Sequence, residues 1–275
     1  VRCRLRHRQR EIGGWTSAKA LFSQEGEPQY THNYGHIACA TDGTLYAACH
    51  FYNIGGSDNQ PVTGDRSKMR SYGAAVLKST DLGATWCDLH GDPVDLPTTY
   101  NHRIAIPPFD RNIYINTIAL DTLNTLWALT LNPGLEDNAV WLSRWVGQDW
   151  QTIQLERYMP ESRTPVESMM TIDTHNRLHI VLTTVDTAAV GTDSHWGHPS
   201  SEVLYLRSND GGQTFDATEV SPADPETANW LPSISRSSPH HPVDVPTIMY
   251  THGDVGTGLR PDIRTEVRCV QLVEA

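Results

Sequence analysis

One eight-residue pattern, S-x-D-x-G-x-T followed by an aromatic residue, constrains the fold of this chain more than any other feature. It occurs at residues 79–86, where it ends in Trp, and again at residues 208–215, where it ends in Phe. Asp81 and Asp210 can accept hydrogen bonds from backbone N–H groups within a turn, and the glycines can adopt positive φ. The aromatic ring can then anchor the turn in a core. The pattern therefore predicts two tight β-hairpins.

A weaker third copy lies between these two. Residues 143–150 keep the Ser, the Gly and the final Trp but have Trp145 at the third position, where the other copies have the Asp. The closing aromatic residues Trp86, Trp150 and Phe215 are 64 and 65 residues apart, and Trp15, 71 residues before Trp86, is a candidate fourth marker. A regular period of this size indicates a repeat architecture.

A second repeated unit is a hairpin of two apolar segments joined by a short polar turn. It occurs at residues 37–51, 118–128 and 170–180, and its first turn contains the favoured Asp-Gly pair at 42–43. Near-continuous apolar runs are typical of strands that are buried on both faces. Each repeat is then an inner hairpin followed by an outer hairpin, and the two together make a four-stranded blade.

The repeats predict an all-β protein, a β-propeller of four-stranded blades in which residues 1–275 form a single domain. About four units are present, followed by a terminal piece within residues 245–272. Because propellers have 4 to 8 blades, the chain is either a small propeller or the C-terminal part of a larger, N-terminally incomplete one. Residues 1–12 form an atypical basic start, which fits an edge strand or a truncated reading frame equally well.

Composition excludes several classes of function. The net charge is −11, which argues against a nucleic-acid partner, although a local Arg or His cluster can still hold an anionic substrate. No apolar run approaches the roughly 18 to 20 residues of a membrane span, so no membrane partner is expected. The five cysteines contain no C-x-x-C pair, which argues against a zinc ribbon. We predict neither a metal nor a cofactor.

The eight-residue pattern resembles the Asp box of the bacterial neuraminidase repeat, which is found in sialidases and many other β-propellers. In that family the box is structural and sits on the outer rim of a blade, so the resemblance implies a fold and not a reaction. A sialidase would need three convergent arginines, a Tyr–Glu pair and an Arg-Ile-Pro-type segment near the N-terminus. That segment is not found in this sequence, and sialidase-like hydrolysis stays a minor alternative.

Proton-transferring side chains gather around the first inner hairpin. An antiparallel hairpin brings its two ends together, so at least two imidazoles and two phenols should converge. Such a set can abstract and deliver protons near neutral pH, and the alternative is a network that fixes a loop in place. The side chains are His32, Asn33, Tyr34 and His36 before the first strand, and His50, Tyr52 and Asn53 after the second.

The His-Asn-Tyr segment, the Asp-Gly turn and the following His resemble the propeller polysaccharide lyases that cleave ulvan and rhamnosyl-glucuronate chains. The likeness runs from about residue 15 to residue 272 and includes Trp-Leu-Pro at 230–232. In that family a His or Tyr removes the C5 proton of a uronate, a second His and an Arg neutralise the carboxylate, and the bond to O4 breaks by β-elimination.

The resemblance assigns roles to individual residues. It implies that His32 and His50 are the paired catalytic histidines, aided by Tyr34 or Tyr100. It implies that the substrate is bound by Asn33, His36, Arg70, His102 and Arg103.

Two departures keep other functions open. The two histidines are 18 residues apart, slightly closer than in the family, and residues 130–132 hold no Arg where the family's arginine is expected. The alternatives are a glycoside hydrolase of the same fold, rhamnosidase-like or sialidase-like, and a non-catalytic glycan-binding propeller. In each case the expected partner is an anionic polysaccharide or oligosaccharide. The resemblance implies a secreted or periplasmic monomer, although no signal peptide is visible.

Three other groups of side chains have both a functional and a structural interpretation. A histidine set could bind zinc, or its members could be separate loop residues. A basic run could hold a carboxylate or sulfate, or could simply be solvated. Two tryptophans could stack on sugars or pack in the core. The groups are, in that order, His195, His198, His240 and His241; Arg66, Lys68 and Arg70; and Trp196 and Trp230.

Overall fold

The computed structural model describes most of the chain, with gaps at both termini and in several connections. The described residues are 6–7, 10–11, 14–15, 17–23, 35–52, 71–109, 113–132, 139–189, 197–221, 224, 226–238, 240–256 and 262–272. Within them the structure is β throughout, apart from two single-turn 3-10 helices at Glu156–Tyr158 and Thr187–Ala189. The all-β fold class predicted from the sequence is confirmed.

Two short antiparallel pairs precede the larger sheets. The first joins β1 (Arg6–His7) to β4 (Lys19–Ala20), and the second joins β2 (Arg10–Glu11) to β3 (Gly14–Trp15). The segment that follows β4 buries Leu21 and Phe22 completely, and Phe22 forms a parallel bridge with Thr98.

Four antiparallel sheets, named blades 1 to 4, follow in chain order with each strand paired to the next. Blade 1 contains β5 (Gly35–Cys39), β6 (Leu45–Tyr52), β7 (Ser71–Ser79) and β8 (Ala105–Ile106). Blade 2 contains β9 (Tyr114–Leu120), β10 (Leu126–Asn132), β11 (Ala139–Val146) and β12 (Asp149–Gln154). Blade 3 contains β13 (Arg163–Ile172), β14 (Leu178–Asp186), β15 (Glu202–Ser208) and β16 (Asp216–Glu219). Blade 4 has three described strands, β17 (Ala228–Ile234), β18 (Thr247–Asp254) and β19 (Arg264–Gln271).

The first strands of the blades lie beside one another, which makes them the inner strands. The side-chain amide of Asn116 on β9 donates to the carbonyl of Ser168 on β13 (3.0 Å). The backbone N–H of Leu231 on β17 donates to the carboxylate of Glu167 on β13 (2.9 Å). The inner hairpins inferred from the apolar repeats therefore occupy the predicted inner position.

Apolar side chains fill the space between neighbouring blades, because both faces of each inner strand pair are covered. The core between blades 1 and 2 includes Val76 and Ile115, that between blades 2 and 3 includes Leu142 and Ile180, and that between blades 3 and 4 includes Tyr205. These faces explain why the strands read as almost unbroken apolar runs.

Both copies of the eight-residue pattern form the predicted turn between the third and fourth strands of a blade. In the first copy, the Ser79 hydroxyl donates to the Asp81 carboxylate (2.8 Å), which also accepts from the Thr85 hydroxyl (2.6 Å). The second copy has the same bonds around Asp210, at 2.8 and 2.6 Å. The closing rings are 3% exposed in the first copy and 8% in the second.

The third copy forms a different turn. Strands β11 and β12 are joined by the two-residue loop Gly147-Gln148, in which Gly147 has a φ of 68°. Ser143, which aligns with the first residue of the pattern, instead bonds Thr152 on the opposite strand (2.9 Å). Because Trp145 stands where the other copies have the Asp, this position supplies no acceptor to organise a wider loop, and the hairpin closes through a two-residue turn.

The inner-hairpin turns of neighbouring blades are tied together by two Thr–Asn clamps, defined as the pairs Thr41–Asn124 and Thr122–Asn176. In the first clamp the Thr41 N–H donates to Asn124 Oδ1 (3.1 Å), and Asn124 Nδ2 donates back to Thr41 Oγ1 (2.8 Å). The second clamp repeats both bonds at 2.8 and 2.7 Å. Both asparagines have positive φ, 62° and 61°, a conformation that Asn tolerates better than most residues.

The clamps show that these turns share one side of the molecule, which we call the lower face. The opposite, upper face carries the start of each inner strand, the end of each second strand and the start of each third strand. No helix in the described part of the chain is long and apolar enough to cross a membrane.

Candidate functional site

The candidate site of the sequence analysis is only partly within the described residues. His32, Asn33, Tyr34 and Arg70 lie outside them, as do Arg66, Lys68, His195 and Trp196. Their assigned roles stay predictions. The described candidates are His36, His50, Tyr100, His102 and Arg103.

His50 lies near the upper end of β6, where it faces blade 2. Its side chain is almost fully buried, with 2% exposed, and its ring centroid is 4.8 Å from that of Tyr114. Tyr114 is the first residue of β9 and is only partly buried. An imidazole and a phenol therefore meet where an inner strand begins, with the phenol on the solvent side of the pair.

His36 lies close by on the inner strand β5. Its Nε2 is 3.2 Å from the carbonyl oxygen of Ile115, so Nε2 carries the proton and donates it. Its Nδ1 is buried and has no hydrogen-bond partner among the described residues. Burial and the positive charge of Arg236 lower the pKa of His36 to about 4, against the opposing effect of the Ile115 carbonyl. His36 is therefore neutral near pH 7, and its bond connects the inner strands of blades 1 and 2.

Tyr100 is not brought next to His50. It is 7% exposed and packs against Phe51, with ring centroids 5.7 Å apart. Phe51 follows His50 on the same strand, and consecutive side chains of a strand point to opposite faces. His50 therefore faces blade 2, whereas Tyr100 belongs to the apolar cluster on the other face of blade 1.

Arg103 and His102 also lie on the outer part of blade 1. Arg103 Nε donates to Asp88 Oδ2 (2.6 Å), and its Nη2 donates to the carbonyls of Asp92 (3.0 Å) and Pro93 (2.6 Å). Burial alone would raise the pKa of Asp88, but the bonds from Arg103 and nearby N–H groups outweigh burial and leave that pKa below its ordinary value. His102 is exposed and its ring lies 5.7 Å from that of Phe109.

Sequence reasoning missed Tyr114, although a signal for it was present. The family resemblance places a tyrosine on the next blade within residues 100–132, a window that contains Tyr100 and Tyr114. Only Tyr114 starts an apolar, β-branched run of the kind that forms an inner strand. In the same window, Asn132 ends β10 and is 8% exposed, and it belongs to the segment 130–132 in which the resemblance leads us to expect an arginine.

A second missed residue is Glu167 on the inner strand β13. Its Oε2 accepts from the Thr183 hydroxyl (2.7 Å) and from the Leu231 N–H (2.9 Å), whereas Oε1 has no hydrogen-bond partner among the described residues. Burial raises the pKa of this carboxyl, although both hydrogen bonds oppose that effect. A carboxyl group with a raised pKa can act as a general acid near neutral pH. No surrounding motif marks Glu167 in the sequence.

The long connection at the upper end of blade 3 is held by Arg163. Its Nη1 bonds Asp186 (2.8 Å), and its Nη2 donates to the carbonyls of Thr184 (2.7 Å) and Ser200 (2.6 Å). One guanidinium thus joins the start of β13, the end of β14 and the residues just before β15.

The remaining candidates were placed as follows. Trp230 is 3% exposed, which fits core packing better than stacking on a sugar. His240 and His241 are exposed, and Nδ1 of His198 lies 2.8 Å from the hydroxyl of Ser200. Within the described ranges no group of three or more His, Cys, Asp or Glu side chains is arranged to hold a metal ion.

Comparison with known proteins identified similar structures but no family. No family model matches the chain, and no curated protein matches it. Among solved structures, an ulvan lyase from a polysaccharide lyase family has a TM-score of 0.61 at 10% identity, with 94% of this chain and 56% of that chain covered. A second structure of an ulvan lyase of that family, with the same score, is bound to -[GlcA(1-4)Rha3S]-.

Two further structures have similar folds. A protein of unknown function from Dyadobacter fermentans has a TM-score of 0.53 at 16% identity, with 86% of this chain and 61% of that chain covered. An α-L-arabinanase from Penicillium chrysogenum, complexed with arabinobiose, has a TM-score of 0.50 at 11% identity, with 88% and 67% covered. At these identities the likeness shows the fold alone. The chain spans little more than half the length of the ulvan lyase.

Proposed function

We propose that this protein is a carbohydrate-active propeller enzyme of the neuraminidase-repeat type, and that it cleaves uronate-containing polysaccharides by β-elimination. The observation that carries the proposal is the contact between the buried His50 ring and the Tyr114 ring at the upper end of the inner strands. This pair supplies the two residue types that the reaction needs, at the end of the fold where the inner strands begin.

The reaction follows from the acidity of the C5 proton of a uronate. A basic group removes this proton, the electron pair of the C5–H bond forms a C4–C5 double bond, and the C4–O4 bond breaks. The departing O4 then takes up a proton. Because Tyr114 is the more exposed member of the pair, we assign it to proton transfer at the sugar, with the imidazole of His50 behind it.

Neutralisation of the uronate carboxylate lowers the barrier to proton removal. The group that supplies the neutralising charge is where this protein departs from the lyases it resembles. Residues 130–132 hold no arginine, and the amide of Asn132 in this segment can donate hydrogen bonds without supplying charge. In this proposal the positive charge comes from His32 or Arg70, as the resemblance implies. An extracellular site of action and a monomeric state are part of the same proposal.

The test is turnover of ulvan and other uronate polysaccharides, followed by the ultraviolet absorbance of the unsaturated uronate product. Tyr114→Phe and His50→Gln should each reduce the rate by at least about 100-fold, the lower range for loss of a general acid or base. His175→Gln serves as the matched control, because His175 is an exposed imidazole in a turn of the lower face. Absorbance that survives both site substitutions would refute the assignment.

Glycoside hydrolysis is a second candidate, and Glu167 is the observation that favours it. Hydrolases use a carboxylic acid with a raised pKa to protonate the leaving oxygen. New reducing ends without ultraviolet absorbance, lost in Glu167→Gln, would identify hydrolysis. Binding of glycans without either signal would identify a non-catalytic propeller.

A further inference from the structure

A three-residue relay, Glu202–Asn229–His252, crosses the boundary between blades 3 and 4. His252 on β18 lies opposite Asn229 on β17, and His252 Nδ1 is 2.8 Å from Asn229 Oδ1. Asn229 Nδ2 is in turn 2.9 Å from Glu202 Oε2 on β15. Asn229 has no exposed surface, so its amide cannot turn towards water.

The relay fixes which nitrogen of His252 carries the proton. A carboxylate only accepts hydrogen bonds, so the Asn229 amide must direct its NH₂ group to Glu202 and its oxygen to His252. That oxygen also only accepts, so Nδ1 of His252 must be the donor. A neutral imidazole with its proton on Nδ1 has a lone pair on Nε2. In the described part of the chain nothing bonds Nε2, and the ring is partly exposed.

The carboxylate end of the relay is itself held firmly. Glu202 Oε2 also accepts from the Ser221 hydroxyl, and Oε1 accepts from the backbone N–H of Asp224 (3.1 Å). Glu202 and Asp224 both line a cavity of about 210 Å³ at the upper end of blade 3. The carboxylate end of the relay therefore adjoins an open space, whereas His252, at the other end, does not line that cavity.

The charges around the relay are predominantly negative. Glu202 and Asp224 are carboxylates on its blade 3 side, and Glu266 pairs with His252 on the neighbouring strand β19. The nearby cations are each compensated by a carboxylate. Arg268 donates through Nε to Glu266 (2.9 Å), and Arg163, which lines the same cavity as Glu202 and Asp224, bonds Asp186 (2.8 Å). A uronate or sulfate would be repelled here, whereas an uncharged hydroxyl group would not.

We propose that Nε2 of His252 is a hydrogen-bond acceptor for a hydroxyl group of a neutral sugar residue, held in its accepting form by Asn229 and Glu202. His252 is then the sugar contact, and Asn229 and Glu202 are positioning residues. The ligand part of this inference rests on the proposed glycan function, whereas the tautomer does not. The site is separate from the His50–Tyr114 pair, which faces blade 2.

The first test is the tautomer of His252, read by long-range ¹H–¹⁵N correlation spectra of the ¹⁵N-histidine-labelled protein. The spectrum of His252→Gln assigns the signal, and the exposed His240 serves as the control. We expect His252 to be protonated on Nδ1, and we expect this preference to be lost in Asn229→Ala. The unsubstituted protein alone suffices if that variant does not fold, since an Nε2-protonated His252 overturns the inference.

The second test separates this inference from the lyase proposal. Arabinobiose, a neutral sugar, should shift the Nε2 signal of His252, and His252→Gln should weaken its binding about tenfold. If uronate chains shift the ring nitrogen signals of His50 while arabinobiose leaves those of His252 unchanged, this inference alone is overturned. A shift of His252 by arabinobiose without unsaturated product from uronate chains would support it and count against the lyase. No shift at either histidine would overturn both.

Discussion

Substitution of Asn124 offers a quantitative test of how the blades are joined. Asn124→Ala removes both bonds of the first Thr–Asn clamp, worth about 0.5–1.5 kcal/mol each. It also places a Cβ-bearing residue without a compensating side chain at a φ of 62°, which costs roughly 1 kcal/mol more. Asn124→Gly loses the bonds but adopts this φ freely. Asn124→Asp keeps the acceptor for the Thr41 N–H and loses only the return donor.

The expected losses in free energy of unfolding are therefore about 1 kcal/mol for Asp, about 1–3 kcal/mol for Gly and about 1 kcal/mol more, or about 2–4 kcal/mol, for Ala. Urea unfolding followed by tryptophan fluorescence measures them, with the denaturant slope checked for constancy. Gln148→Ala, at an exposed turn between strands of blade 2, is the control and should change stability by less than about 0.5 kcal/mol. Equal losses for Gly and Ala would refute the contribution of backbone conformation. If Asn124→Gly caused no loss in the free energy of unfolding, the hydrogen bonds of the clamp would not contribute to stability.

Three other substitutions probe separate features. In Gly73→Ala the new methyl group would overlap the ring of Tyr100, so urea unfolding should show a loss of about 1–3 kcal/mol. Arg103→Met leaves the buried Asp88 carboxylate without its cation, so the same assay should show a loss of about 2 kcal/mol. Hydrogen bonds within its turn lower the pKa of Asp210 to about 2. This group therefore contributes stability above about pH 4 that is lost as the pH falls through 2, and Asp210→Asn should flatten urea midpoints measured across that window.

Each of these predictions has its own control. A Tyr100→Leu change should recover part of the loss in Gly73→Ala, and full additivity would show that the ring is not the obstacle. Asp88→Asn should reduce the cost of Arg103→Met, since it removes the uncompensated charge. If the urea midpoints fall equally steeply with decreasing pH in the unsubstituted protein and in Asp210→Asn, the pKa of Asp210 does not differ between the folded and unfolded states.

The architecture could be predicted from the sequence because its signals are local and repeated. The Ser, Asp, Gly and Thr of each turn pattern are within seven residues, so one short window contains all donors and acceptors of the turn. The inner hairpins were equally visible as apolar runs around a polar turn. The order of the strands within a blade follows from these two signals alone.

The site could be predicted only in part, because its contacts depend on which face of a strand a side chain occupies. Tyr100 and Tyr114 fall in the same window, and only the register of blades 1 and 2 places Tyr114 beside His50. The relay from Glu202 to His252 spans three strands of two blades. No sequence spacing encodes such a connection, which needs the pairing of β17 with β18 to be known first.

The anchoring of the blade 3 connection by Arg163 has a consequence for how such a protein can diversify. The guanidinium bonds Thr184, before the segment between residues 189 and 197, and Ser200, after it, and so fixes the described chain on both sides of that segment. The cost of closing a loop between fixed ends rises only slowly with its length. Exchange of that segment for a longer or shorter one would therefore cost little stability, while the sheet keeps its register. The position is a natural insertion point for transplanting recognition loops between members of this fold.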